Sequence, residues 1–199
     1  MPTSAEPRRS WAGVSAEDRK AERRTLLLDA ALELLGTEGW AGTTVRGVCQ
    51  TAQLNPRYFY ESFDDLDALA CALHDRLLEE LRAAVEAEVA AADDDPVAKT
   101  RAVVSATARF VDEDRRRARV IYVEALGNEA VNRRRIEAAH ALTRLMAGAV
   151  GPVAASMLVG GFSEVLVAWL DGRIPGSRER LVEETTTLFL AVGEASRRK

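Results

Sequence analysis

Cysteine is scarce in this chain, two among 199 residues, and histidine is equally rare. Cys49 and Cys71 both fall within helix-like patterns, which argues against a disulfide scaffold and fits a reducing, cytoplasmic setting. His74 and His140 are the only imidazoles. With no Gly-rich phosphate loop and no nucleophile elbow either, little supports an enzyme. No catalytic residue, cofactor or bound metal is expected. Strand signals are nearly absent. No stretch approaches the roughly 20 consecutive apolar residues of a membrane span, so no membrane association is expected. Residues 1–14 lack an apolar signal core, which argues against export, and read with 197–199 as disordered tails.

What is present is helical spacing almost throughout, with 47% apolar residues, enough for compact helical cores. The net charge is −4, mildly unfavourable for a nucleic-acid partner. Of the 27 basic and 31 acidic side chains, eight of each lie in residues 1–63, so the remainder carries the whole excess. DNA binding therefore needs the N-terminal cations gathered on one face.

Ser15, followed by Asp18, gives a capping-box-like start to a first helix that Gly36 and Gly39 end. Leu27, Ala31 and Leu34 form its inward face. A short helix from Thr43 or Thr44 to about Ala52 precedes another announced by Asn55 and Pro56. A long helix, about 64–92, carries Leu66, Leu69, Leu73, Leu77 and Leu81. Pro96 opens the next, to about Asp112. Further helices are expected at about 115–126, 129–150, 153–171 and 177–196. The expected fold is all-α, with about nine helices.

Two short helices behind a longer supporting one form a helix-turn-helix pattern. Val45, Val48, Cys49, Leu54, Phe59 and Phe63 are expected inside; Arg46, Asn55, Arg57, Tyr58 and Tyr60 outside. Thr43 and Thr44 stand at a helix start, where hydroxyls and free N–H groups suit a phosphate. Arg57 is the best base reader, because its fork matches guanine O6 and N7. The alternative for Tyr58 and Tyr60 is packing against neighbours. Arg8 and Arg9 either reach a minor groove or belong to a solvated tail.

From Leu27 to Leu69 the order of residues resembles the DNA-binding domain of the tetracycline-repressor (TetR) family. Gly39 ahead of Thr43-Thr44, the Phe59-Tyr60 pair and Phe63 closing the recognition helix carry the likeness. Gln53 departs from it, standing where the family usually has a turn glycine, and Leu66 stands where a phosphate-holding lysine is common. The resemblance implies a DNA-binding transcription regulator, with Tyr60 as a phosphate ligand. It also implies a homodimer built on the last two helices. The chain then divides into a tail (1–14), a three-helix helix-turn-helix DNA-binding domain (15–63) and a helical ligand-binding and dimerisation domain (64–199).

In that larger part, Leu158, Phe162, Val165 and Trp169 form one stripe and Leu181, Thr185, Leu188 and Val192 another. Both are candidates for the dimer interface, with the monomer core as the alternative. Phe110, Tyr122, Leu126 and Met146, with Glu124 and His140 as polar groups, are candidates to line a cavity for a small apolar effector. The expected function is a repressor released from a palindromic double-stranded DNA operator by that effector. Two alternatives remain: a non-enzymatic helical adaptor for protein partners, and a metal-responsive regulator using Cys71 and His74, which share a helix face and supply half of a metal site.

Overall fold

The computed structural model describes residues 15–197, all-helical in its regular elements among those residues. The expected tail at 1–14, with Arg8 and Arg9, lies outside them. Helix α1 spans Ala16–Thr37, and Ser15 and Asp18 close the reciprocal capping box expected of them. A short α2 follows at Gly39–Gly42, too brief for any periodicity to reveal. Gly39 makes the break, at φ +75°. Helices α3 (Val45–Thr51) and α4 (Pro56–Tyr60) are capped by the Thr44 hydroxyl and the Asn55 amide oxygen. Helix α5 runs from Leu66 to Ala91 behind the Asp65 cap, and α6 from Pro96 to Glu113 behind Asp95.

The single helix expected near 115–126 is three pieces. Helix α7 covers Arg115–Ala118, a π turn Arg119–Val123, and a 3₁₀ turn Glu124–Gly127. The Glu124 N–H donates to the Arg119 carbonyl five residues back, and this wider turn rotates everything after it. Helices α8 (Glu129–Val150), α9 (Pro152–Leu170) and α10 (Arg178–Arg197) complete ten α-helices among the described residues, where about nine were expected.

One apolar core joins both expected domains. Leu27, Val48, Cys49, Phe59 and Phe63 continue through Leu69, Leu73 and Leu77 of α5 into Val104, Val111, Ile121 and Leu166. The leucine spacing of α5 reaches this core as expected, with Leu66 and Leu81 half-buried at its ends.

Helix α9 is the membrane-length helix among the described residues, although Ser156, Ser163 and Glu164 interrupt its apolar run. At 19 residues and mean hydropathy 1.8 it is long and apolar enough, by length and composition, to cross a membrane. It packs chiefly on α8, and also on α10. Its stripe Leu158, Phe162, Val165 and Trp169 turns inward: Phe162 meets Phe189 edge-on at 5.5 Å, and the Trp169 indole donates to the Gly176 carbonyl at 3.0 Å. The outward stripe is Val153, Met157, Gly160, Gly161 and Glu164.

Candidate functional site

The turn between α3 and α4 is held by Gln53, which takes the left-handed conformation at φ 54°. A glycine would adopt it without cost; a residue with a Cβ adopts it at roughly 1–2 kcal/mol. The departure at this position therefore leaves the turn intact. Phe59 is fully buried beneath α4, meeting Tyr60 edge-on at 5.3 Å and Phe63 at a tilt at 5.9 Å. That anchor fixes which side of α4 faces outward.

Outward lie Arg57, with an 81% exposed side chain, and Tyr60, 62% exposed. Arg46 and Thr44 are exposed on α3, and Asn55 is exposed while its Oδ1 accepts from the Arg57 N–H at 2.9 Å. Two expected contacts are placed differently. Thr43 is buried and its hydroxyl donates to the Gly39 carbonyl at 2.7 Å, so it locks α2 to the start of α3 and does not reach the surface. Tyr58 is half-buried with the Arg23 guanidinium 4.4 Å above its ring, in line with the packing alternative.

Three residues absent from the expected set complete this face. Arg23 approaches Glu61 at 3.7 Å, Arg57 Nε donates to Glu61 Oε1 at 3.0 Å, and Arg24 donates to the Ser62 carbonyl at 3.1 Å while covering Phe63 at 4.3 Å. Only the charges of Arg23 and Arg24 are visible in the sequence; their partners lie about 40 residues away. Helix α5 begins with Leu66 behind Asp65, so no cation sits there.

A second feature is a cavity of about 560 Å³ between α8, α9 and the π turn. Tyr122, Leu126 and His140 line it, as expected. Phe110 does not: it is buried in the core beneath the Arg117 guanidinium, 4.4 Å away. Met146 is half-buried on α8 outside the lining. Glu124 faces the other way, accepting from the Trp40 N–H at 2.7 Å and pairing with Arg119 at 2.8 Å. The wall is also less apolar than expected, with Arg135, Thr143, Ser163, Glu164 and Asp171 beside Val159 and Val167. Burial pushes the Tyr122 phenol up to about 12, so it stays a neutral donor at physiological pH.

The connector between these two regions has two sides. Arg119 donates to the Thr37 carbonyl at 2.8 Å at the end of α1, Glu124 holds the start of α2, and Arg116 pairs with Glu33. Tyr122, Val123 and Leu126 of the same segment face the cavity. Gly39 fits beneath the pair because a Cβ there would lie 2.9 Å from Glu124 Oε2.

Cys71 and His74 are not joined by a third candidate metal ligand among the described residues. Both side chains are buried, and burial raises the Cys71 thiol. His74 has no hydrogen-bond partner on either ring nitrogen, and burial lowers its pKa, so it stays neutral.

Residues 27–73 match the model of the bacterial regulatory proteins of the tetR family. The chain is 39% identical over 84 residues to the HTH-type transcriptional regulator BetI of Burkholderia thailandensis, covering 42% of this chain and 43% of that protein. BetI of Paraburkholderia xenovorans is 38% identical over the same length. The match thus spans about two fifths of the length of these curated relatives. Among solved structures, a TetR-like transcriptional regulator from Rhodococcus sp. RHA1 superposes with a TM-score of 0.69 at 20% identity, over 87% of this chain and 94% of that one. The multidrug binding protein EbrR, complexed with imidazole, superposes at 0.64 and 23% identity, over 83% and 94%. These two likenesses are of fold. Residues 27–73 thus match the N-terminal domain of the tetR family of bacterial regulatory proteins, and the chain as a whole shares the all-helical fold of the TetR-like regulator from Rhodococcus.

Proposed function

We propose that this chain regulates transcription as a homodimer, reading a two-fold operator with α4 and releasing it when a small molecule occupies the α8–α9 cavity. Residues 15–63 read DNA and the rest of the chain senses and dimerises. The observation that carries the reading is the exposed pair Arg57 and Tyr60 on a capped helix whose buried face is anchored by Phe59. Thr44, Arg46 and Asn55 extend that face. An exposed tyrosine beside arginines suits phosphate oxygens and base edges. The curated relatives' description as transcriptional regulators favours the same reading.

Dimerisation is supported by what the helical body leaves uncovered. Leu142 and Leu145 on α8, Val153 and Met157 on α9, and Leu188 on α10 are exposed. Gly148, Gly160 and Gly161 have open space above them, which allows close approach of another helix. A second copy covering this surface places two recognition helices in the symmetric arrangement a palindromic site requires. The mixed lining of the cavity favours an amphipathic effector over a purely apolar one. The segment Arg115–Gly127 touches both the cavity and the end of α1, and so offers a route by which occupancy biases the reading head.

The test is selection of duplexes from a random pool by the purified full-length chain, followed by titration of the enriched sequence with and without candidate effectors. Enrichment of a two-fold site supports the reading; no enrichment over bulk DNA removes it. For any effector found, affinity must differ with and without saturating operator, because coupling is reciprocal.

A further inference from the structure

Glu61 is an odd residue for its place. It is the C-cap of α4, where a carboxylate meets the partial negative end of the helix, and its charge partner Arg57 stands four residues before it. That is the order in which acid and base help a helix least. It also puts a negative charge on the face proposed to meet phosphates. Helix stability and DNA affinity both argue against a carboxylate here, so its contacts need another account.

Those contacts are specific. Glu61 Oε1 accepts from Arg57 Nε at 3.0 Å, and Oε2 lies 3.7 Å from Arg23 Nη2, on α1. Arg23 is itself settled over the Tyr58 ring. Backbone bonds from the Glu61 N–H to the Arg57 carbonyl at 3.0 Å and from the Ser62 N–H to the Phe59 carbonyl at 2.9 Å close the helix end beneath the pair. The carboxylate is therefore held between a cation of the supporting helix and the cation of the recognition helix.

We propose that Glu61 is a positioning residue that fixes the guanidinium of Arg57 and thereby sets base preference at one operator position. This rests on the DNA-reading role of α4. A guanidinium offers five N–H donors in a planar fork, and a base can be met through the Nε edge or through the two outer amino groups. With Nε occupied by Glu61, the outer amino groups are left for guanine O6 and N7. Holding a long, 81% exposed side chain before binding also removes part of the ordering cost at encounter. Arg23 offsets the carboxylate's repulsion of the DNA backbone.

The experiment compares the full-length chain with Glu61→Ala, Glu61→Gln and Arg57→Ala. Each is titrated against the selected operator, all its single-base variants and an unrelated duplex, at several salt concentrations. Thermal melts confirm that the exposed substitutions leave the fold intact. Arg57→Ala identifies the base pair that Arg57 reads, by loss of roughly tenfold preference there. Glu61→Ala is expected to lose several-fold preference at that same base pair while binding unrelated DNA as tightly or more tightly. Its log–log salt slope should steepen by about one, as the freed arginine finds a phosphate. Glu61→Gln, whose amide oxygen still accepts from Nε, should keep most of the preference. Glu61→Ala that changes affinity uniformly, or loses preference at a different base pair, overturns the inference while the DNA reading stands. A parent chain with no sequence preference overturns the reading itself, and this inference with it.

Discussion

The two ends of the chain treat their apolar residues in opposite ways. Around α1, α3 and α4, the large apolar side chains Leu27, Leu34, Val48, Phe59 and Phe63 are buried in the N-terminal end of the shared core, and arginine, tyrosine and capping polar groups dominate the outside. On α8 to α10 large apolar side chains stand in solvent, Leu145 at 79% and Met157 at 64% exposure. The first region presents a polar face; the second leaves apolar surface uncovered. This contrast fits the proposed reading, in which the polar face meets DNA and the apolar one a second copy of the chain.

Substitutions can break that contrast at either end. The largest effect is expected from Phe59→Ala, which empties the anchor beneath α4 and should cost about 3–5 kcal/mol of unfolding free energy in a urea titration. Leu145→Ala, by contrast, should barely change the melt of a dilute monomer. Leu145→Arg or Leu188→Arg should instead abolish self-association in sedimentation or light scattering, since a desolvated interface gives the new charge no partner. A dimer that tolerates both would place the interface elsewhere. Glu124→Ala removes the acceptor of the Trp40 N–H and should cost about 1–3 kcal/mol, read by denaturation, with the loss appearing at the α1–α2 junction in hydrogen exchange.

Smaller effects sharpen the comparison. His74 has its folded pKa lowered by burial, so the unfolded chain binds the proton more readily. The stability that depends on a neutral ring is therefore full above the unfolded value near 6.5 and falls as pH drops from there toward the folded value. His74→Leu should flatten the stability profile between pH 7 and 5 relative to the parent; an unchanged slope would mean that other groups govern it. Gln53→Gly should raise stability by about 0.5–1 kcal/mol, the left-handed strain relieved less the extra freedom of the unfolded chain. A destabilised glycine variant would show that the Gln53 side chain contributes more than its backbone costs.

Helix starts were readable because they carry their own chemistry. Ser15 with Asp18, Asn55-Pro56, Asp95-Pro96 and Gly151-Pro152 all stand at helix boundaries, since caps and prolines act on adjacent backbone. The inward face of the reading head was also legible, because α1, α3 and α4 each bury one face only. Helix α9 was not, because it is apolar all round: a spacing of 3.6 marks the stripe of Leu158 and Phe162 and the stripe of Val153 and Met157 equally well, and cannot say which is covered. Among the expected cavity residues, Tyr122, Leu126 and His140 line it, and Glu124 departs for a related reason. One π turn moves Glu124 to the α1–α2 side and leaves Tyr122 and Leu126 on the other, a rotation no regular periodicity anticipates. Glu61 escaped notice because one of its two partners lies on another helix.

The shared core has a consequence for how this molecule comes apart. Leu69, Leu73 and Leu77 belong to one helix and one apolar cluster that reaches from Phe59 to Val182. Among the described residues this cluster is continuous from the helices of residues 15–63 into the rest of the chain. Helix α4 packs on α1 and α3, and α1 in turn on α5, which packs on α6 and α8, so opening at α4 reaches those helices by way of α1. Under the proposed DNA reading, operator bound at α4 is expected to slow exchange in α5 as well, which hydrogen exchange with and without the selected duplex measures.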